Sequence, residues 1–266
     1  MSHFKAPPKK QLGQHFLTDR NVIAQILLAI DPRPGERLVE IGPGQGAITL
    51  PLLKQHHALT VIEFDRDLIT PLMESAEGIG ELTIIHKDVL QVDFGKLAGD
   101  ERIRLVGNLP YNISTPILFH VLEHAEGIVD MHFMLQKEVV DRMAAAPGSK
   151  AYGRLTVMLQ ALCTVEPLFD VPPAAFRPPP KVDSAVVRLR PKPASQVGVD
   201  YPAVFERVVR DAFGQRRKTL RNALQNVCDA DAIAAAGIRP EARAEQVEVA
   251  GFINLSNHLG RSGTAG

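Results

Sequence analysis

Arg37-Leu38-Val39-Glu40-Ile41-Gly42-Pro43-Gly44-Gln45-Gly46 is the stretch from which the rest of this chain is read. Its first five residues make a short, mostly apolar run of strand length, and residues 47–55 continue at helical spacing. Between them lies a glycine turn. Glycines let a backbone turn tightly and approach a ligand, and the following helix N-terminus presents free N–H groups. Strand, glycine turn and helix together form a nucleotide-cradling arrangement. The spacing is G-x-G-x-G, so the third glycine falls one position early for a dinucleotide fingerprint. A tight strand-to-helix turn with no ligand satisfies the same letters.

Downstream, residues 58–64 predict a second strand carrying Glu63 near its end, about 20 residues past the glycine turn, where a carboxylate grips ribose hydroxyls. Asp65 and Asp67 are placed to cap the next helix, in which Leu68, Leu72 and Met73 are expected to face inward. Residues 82–85 predict a third strand that delivers Asp88 to the same sheet edge, and residues 102–106 a fourth. That fourth strand leads into Gly107-Asn108-Leu109-Pro110-Tyr111-Asn112. Asn108 offers a side-chain carbonyl, Leu109 and Pro110 offer backbone carbonyls, and Tyr111 offers a flat ring. Proline fixes its own φ and biases Leu109 towards an extended conformation. Acceptors on a rigid turn beside an aromatic face suit a planar base held by its exocyclic amine. Each of these residues alone reads equally as a turn or exposed side chain. Their convergence on the carboxyl ends of successive strands strengthens the ligand reading.

The flanks complete an α/β pattern. Thr18 and Asp19 are N-cap candidates for a helix with Val22, Ile23, Ile26 and Leu27 at helical spacing, stopped by the Pro/Gly cluster at 32–35. A helix over 116–122, a strand over 131–135, helices from Lys137 and over 155–162, and a strand over 165–171 follow. Residues 171–181 are crowded with prolines around a single aromatic, Phe176, and read as a stiff loop. Residues 182–189 alternate as a closing strand, and 191–199 read as a linker. Beyond it, Phe205, Val208, Val209 and Ala212, then Leu220, Leu224 and Val227, recur at helical spacing. Residues 233–237 and 242–259 add further helix. The expected division is 1–192 and 193–266.

Length, 266 residues, allows one large core with an appendage, and 45% hydrophobic with 23% charged residues is ordinary globular composition. Cys163 and Cys228 match no metal or redox spacing, which favours a reducing, cytoplasmic setting. Residues 1–10 are polar and basic, so no secretory signal is expected, and no apolar run reaches membrane-helix length. Net charge is zero but unevenly spread. Lys5, Lys9, Lys10 and Arg20 cluster at one end, and Arg207, Arg210, Arg216, Arg217, Lys218 and Arg221 near the other. Such clusters raise the odds of a polyanionic partner. His120 and His124 are four apart but lack a third ligand, and no zinc, Walker or nucleophile-elbow motif occurs, so no metal is expected.

Gln14-His15-Phe16-Leu17, residues 39–46, Asn108–Ser114, residues 133–138 and Phe176–Ser184 together resemble the KsgA/RsmA family of small-subunit ribosomal RNA adenine dimethyltransferases. The resemblance runs from about residue 9 to residue 220. It implies a class I, Rossmann-like methyltransferase fold: a seven-stranded, mostly parallel sheet with its last strand antiparallel, and a small C-terminal helical RNA-binding domain. The cofactor implied is S-adenosyl-L-methionine, with Gly42 against its amino-acid part, Glu63 on its ribose and Asp88 on its adenine amine. Asn108 would stand between methyl donor and target base, with His15 and Leu17 closing the site. The family most often has Asn where this chain has His15. Leu109, Pro110, Tyr111 and Phe176 complete the implied catalytic set, the two rings sandwiching the base.

The activity implied is dimethylation of two adjacent adenosines near the 3′ end of small-subunit rRNA in a pre-ribosomal particle, by a monomer without metal or membrane attachment. Two other classes remain open at this point. A non-catalytic assembly factor would keep the fold without binding cofactor. A nicotinamide-dependent oxidoreductase would share the first two strands and Glu63, but leaves residues 108–111 unexplained.

Overall fold

A computed structural model describes Lys9 and residues 13–263. The basic residues Lys5 and Lys10, and most of the 1–10 stretch, lie outside the described residues. Nine strands occur among the described residues: β1 (Phe16–Leu17), β2 (Arg37–Ile41), β3 (Ala58–Glu63), β4 (Glu81–His86), β5 (Ile103–Asn108), β6 (Ile128–Gln136), β7 (Cys163–Val171), β8 (Phe176–Arg177) and β9 (Ser184–Pro191). Seven of them form one sheet in the order β4-β3-β2-β5-β6-β9-β7. The pairs β2–β3, β3–β4, β2–β5 and β5–β6 are parallel, and β9 enters antiparallel to β6. Parallel neighbours need crossovers, which the helices Thr49–His56, Arg66–Ala76 and Ser114–Leu122 supply. Covered on both faces, the central strands are apolar without alternation: every residue of Leu38–Ile41 and Ile103–Gly107 is buried, and all but Glu40 and Arg104 are uncharged.

Capping follows the expected residues. Asp19 accepts from the Asn21 and Val22 N–H groups at the start of Arg20–Ile30, and Asp65 accepts from Asp67 N at the start of Arg66–Ala76. Several boundaries differ from the sequence reading. β5 runs on to Asn108, so this residue ends the strand instead of following it. Met73 is 57% exposed, whereas Leu68 and Leu72 are buried. The predicted helix over 242–259 is a 3-10 turn, Ala244–Gln246, followed by the helix Val249–Arg261. Within the proline-rich loop, Phe176–Arg177 pairs with Phe16–Leu17 as a two-stranded antiparallel ribbon. Two-residue strands are too short to show alternation, so periodicity could not find them.

The chain divides into two compact units, Met1–Val140 with Glu166–Pro191, and Asp141–Val165 with Lys192–Gly266. The second therefore takes in a mid-chain segment as well as the C-terminal helices, unlike a single cut after residue 192. Its own core explains this: Tyr152, Val157 and Ala161 pack with Phe205, Val208, Leu224, Phe252 and Leu255. The Tyr152 hydroxyl donates to the Val247 carbonyl at 2.8 Å. The first unit has the core formed by the sheet and its helices.

Two buried ionisable side chains in the first unit carry opposite pH signatures. His132 on β6 is 3% exposed, and neither ring nitrogen has a hydrogen-bond partner among the described residues. Burial pushes its imidazole down to about 4, with Asp130 opposing and Arg104, Arg188 and Arg190 adding to the shift. Between pH 4 and 6.5 the unfolded chain binds more protons, so stability from this group is full above 6.5 and falls as pH drops towards 4. Replacing His132→Phe is expected to flatten that acid limb, removing up to about 3 kcal/mol of pH dependence in thermal melts. Glu40 on β2 is pushed up to about 8 by burial, against the Thr49 hydroxyl bond and with Glu63 adding. Its contribution is full below pH 4.5 and is lost as pH rises through 8. A Glu40→Gln variant melted from pH 5 to 8.5 should lose this alkaline decline; an unchanged slope would refute the assignment.

Candidate active site

The order of strand addition reverses about β2: β3 and β4 lie on one side, β5 on the other. Such a switch point opens a crevice at the carboxyl ends of the strands. Here it holds a cavity of about 270 Å³ lined by Gly42, Glu63, Asp88, Asn108 and Tyr111, with His15 and Leu17 along one wall. Gly42 adopts φ +69°, a conformation an L side chain rarely takes, and donates its N–H to the Ile62 carbonyl at 2.9 Å. The sharp turn thus keeps backbone, and no side chain, at this edge of the cavity.

Glu63 is 6% exposed. Its Oε1 accepts from Asp65 N at 2.7 Å and its Oε2 from Gly44 N at 3.3 Å. Burial raises its carboxyl, while those backbone N–H groups pull the other way. Asp88 Oδ1 accepts from Leu90 N at 3.0 Å at the head of a short 3-10 turn. The lining also includes Glu40, Phe64 and Val89, which the sequence reading did not single out as site residues. Phe64 is 59% exposed, an aromatic face left open at the cavity. Its signal was its position directly after Glu63, where β3 ends at the cavity.

Asn108 Nδ2 donates to the His15 carbonyl at 3.0 Å. A carbonyl only accepts, so the amide nitrogen must be the atom turned to His15, and Oδ1 is the free acceptor. Leu109 N donates to the Met134 carbonyl at 3.1 Å, and the Pro110 carbonyl accepts from Ile113 N at 3.2 Å. Of the two backbone carbonyls the sequence offered, Pro110's is therefore used by its own turn. The Leu109 carbonyl has no hydrogen bond among the described residues. The Tyr111 hydroxyl lies 2.5 Å from Ser184 Oγ, which anchors the ring to β9.

The aromatic stacked on Tyr111 is the His15 imidazole, with centroids 5.6 Å apart and planes inclined 24°. His15 Nδ1 lies 2.8 Å from the Pro178 carbonyl and so must carry hydrogen, leaving Nε2 as the other ring position. Phe176 corrects the sequence reading. Its ring is fully buried in a core with Leu17, Met134 and Val186, and it is absent from the cavity lining. Burying a whole phenyl in that core is worth about 1.5–3 kcal/mol, so the ring sits inward. The sandwich expected of Tyr111 and Phe176 is not formed in this arrangement.

Among the described residues, no group of three or more His, Cys, Asp or Glu side chains is placed to hold a metal ion. His120 Nε2 lies 2.8 Å from the Val92 carbonyl, and its ring meets His124 edge-on at 5.9 Å, a packed pair. No described helix is long and apolar enough to cross a membrane. In chemical terms, the cavity joins a glycine turn and two carboxylates suited to a polar ligand with two carbonyl acceptors beside an aromatic ring.

The sequence matches the ribosomal RNA adenine dimethylase family over residues 6–260. It is 68% identical over 256 residues to ribosomal RNA small subunit methyltransferase A of Xanthomonas campestris pv. campestris, covering 96% of this chain and 98% of that protein. The homologue from Xanthomonas oryzae pv. oryzae is equally similar, at 68% over the same length. Among solved structures, a Plasmodium falciparum dimethyladenosine transferase superposes with a TM-score of 0.82 at 24% identity, over 94% of this chain and 99% of that one. The 23S rRNA methyltransferase ErmE gives 0.71 at 28% identity, over 92% and 99%. The seven-stranded, mostly parallel sheet is accordingly that of the class I methyltransferases. Glycine turn, Asn-Leu-Pro-Tyr turn and near full-length similarity agree, and this chain belongs to the ribosomal RNA adenine dimethylase family.

Proposed function

We propose that this protein transfers methyl groups from S-adenosyl-L-methionine to the N6 amines of two adjacent adenosines near the 3′ end of small-subunit (16S-type) rRNA. The observation that carries the reading is the fixed orientation of Asn108, whose Oδ1 stands free beside the unbonded Leu109 carbonyl at the cavity. The cavity's donor set fits the cofactor. Gly42 brings backbone to the amino-acid end, Glu63 offers a buried carboxylate to ribose hydroxyls, and Asp88 an acceptor to the adenine amine. Phe64 and Val89 add apolar surface for the adenine ring, and His15 and Leu17 close the wall. When bound, the cofactor supplies a sulfonium methyl that is electrophilic in its own right.

The chain's residues then act on the nucleophile. An adenine amine attacks poorly because its lone pair is delocalised into the ring. Asn108 Oδ1 and the Leu109 carbonyl accept its two N–H bonds, which lets the nitrogen pyramidalise towards the methyl donor. Pro110 serves by stiffening the turn. Tyr111 offers a stacking face worth about 1–3 kcal/mol per base. Holding the amine within attack distance does most of the remaining work. No side-chain base is required, because the proton leaves to water after transfer. The second methylation uses the one remaining N–H.

RNA would be held electrostatically. Arg217 and Lys218, exposed in the second unit beside Arg216 and Arg221, form a basic surface for phosphates, so that unit is read as RNA-binding. A monomer acting in the cytoplasm on a pre-ribosomal particle completes the proposal. A non-catalytic assembly factor would need neither the oriented Asn108 nor the carboxylates at the cavity.

The direct check is transfer of radiolabelled methyl to unmodified small-subunit rRNA. Label is expected as dimethyladenosine, and none at adenine would refute the activity. Asn108→Ala should lower transfer at least a hundredfold, on the order of what loss of one oriented acceptor costs in a preorganised site. Calorimetric affinity for the cofactor should stay largely intact. Equal loss of both would show that Asn108 serves binding, not orientation of the amine.

A further inference from the structure

Glu63 does not stand alone at the cavity edge. Two residues on, Asp65 is 5% exposed, and its backbone N–H donates to Glu63 Oε1 at 2.7 Å. The Asp65 carboxylate itself is gripped by the N-terminal segment. Lys9 Nζ lies 2.5 Å from Oδ1, and Gln14 Nε2 donates to Oδ2 at 2.9 Å. Lys9 also reaches Asp67 Oδ2 at 2.7 Å, and its backbone N–H donates to Gln14 Oε1 at 2.7 Å. Gln14, His15, Phe16 and Leu17 form one wall of the cavity, and the His15 carbonyl is what orients Asn108.

We infer that Asp65 is a positioning residue: with Lys9 and Gln14 it forms a latch that holds the N-terminal wall shut over bound cofactor and fixes Glu63. The inference rests on the cofactor reading above and goes beyond it. A helix cap alone requires only the bond from Asp67 N, at 3.1 Å, and neither burial nor a lysine. The asymmetry of hydrogen bonding supplies the force. Lifting the wall would strip a buried carboxylate of its cation and an amide donor at once, and such groups are expensive to leave unpaired. Although burial raises the Asp65 carboxyl, the Lys9 and Gln14 bonds outweigh it and hold it below the usual carboxylate range. The partners differ in exposure: the Lys9 side chain is 33% exposed and Asp67's 65%, against 3% for Asp65. Lys9–Asp65 is therefore the pair that matters, and Lys9, reachable by solvent, is where the latch opens and where salt acts.

The test is stopped-flow and calorimetric binding of S-adenosyl-L-methionine to the full chain at low and high salt. Lys9→Met should weaken binding about tenfold, through faster dissociation. Lys9→Arg should restore tight binding. Asp65→Asn should weaken it as well, and the double variant should lose no more than the worse single change, the signature of one shared interaction. Salt should raise wild-type dissociation but not that of Lys9→Met. Wild-type binding with unaltered Lys9→Met kinetics, or fully additive losses, would overturn the latch alone. Failure of the wild-type chain to bind cofactor would overturn the functional reading and the latch with it.

Discussion

The site depends on how closely the two central strands approach. At Gly107, on β5, an added Cβ would lie 2.5 Å from the Ile41 carbonyl oxygen of β2, a distance real side chains do not occupy. No L residue with a side chain fits there without moving one strand. The parallel register, Glu40 against Val106, then sets the glycine turn opposite the Asn-Leu-Pro-Tyr turn. A Cβ at Gly42 would come within 3.8 Å of the Asn108 carbonyl. The glycine turn and the Asn-Leu-Pro-Tyr turn are thus neighbours because two backbones are, and loop flexibility has little say in it.

Around that contact the polar groups are handled by satisfaction more than by exposure. Glu63 keeps a buried carboxylate by taking two backbone N–H donors, from Gly44 and Asp65, one from each turn flanking the cavity. Glu40, deeper and closer to the sheet, has the Thr49 hydroxyl and a carboxyl raised to about 8. Burial raises both carboxyls, and at Glu63 the backbone N–H groups oppose the rise. At the opposite end of β5, Arg104 meets Asp130 through two nitrogens and Glu36 through a third, so the buried guanidinium is fully engaged. The strand is pinned by charge at one end and left with an unbonded side-chain acceptor, Asn108 Oδ1, at the other.

The N-terminal segment is structural and functional at once. β1 pairs with β8, Leu17 opposite Phe176, and draws that phenylalanine into the core. One residue before the ribbon begins, His15 stacks on Tyr111, contacts Pro178 and orients Asn108. An asparagine at this position would keep the carbonyl contact, which is backbone, but lose the ring. The consequence of this chain's histidine is therefore an aromatic plate beside Tyr111 that an asparagine could not supply.

Local chemistry explains what could be read from the chain alone. Unbroken apolar runs, glycines at a strand-to-helix junction and acids at strand ends depend on residues near one another in sequence. They disclosed the α/β class, the parallel sheet, the caps at Asp19 and Asp65, and the edge shared by Gly42, Glu63, Asp88 and Asn108. Contacts between distant segments left no such trace. Two-residue strands carry no period, so the pairing of Phe16–Leu17 with Phe176–Arg177 was invisible, and with it the inward turn of Phe176. The packing of 141–165 with the C-terminal helices was hidden because each segment is amphipathic whichever partner it meets. The free acceptor at Asn108 likewise came only from the folded chain, since it is the carbonyl of His15, 93 residues away, that fixes which end of the amide faces the cavity.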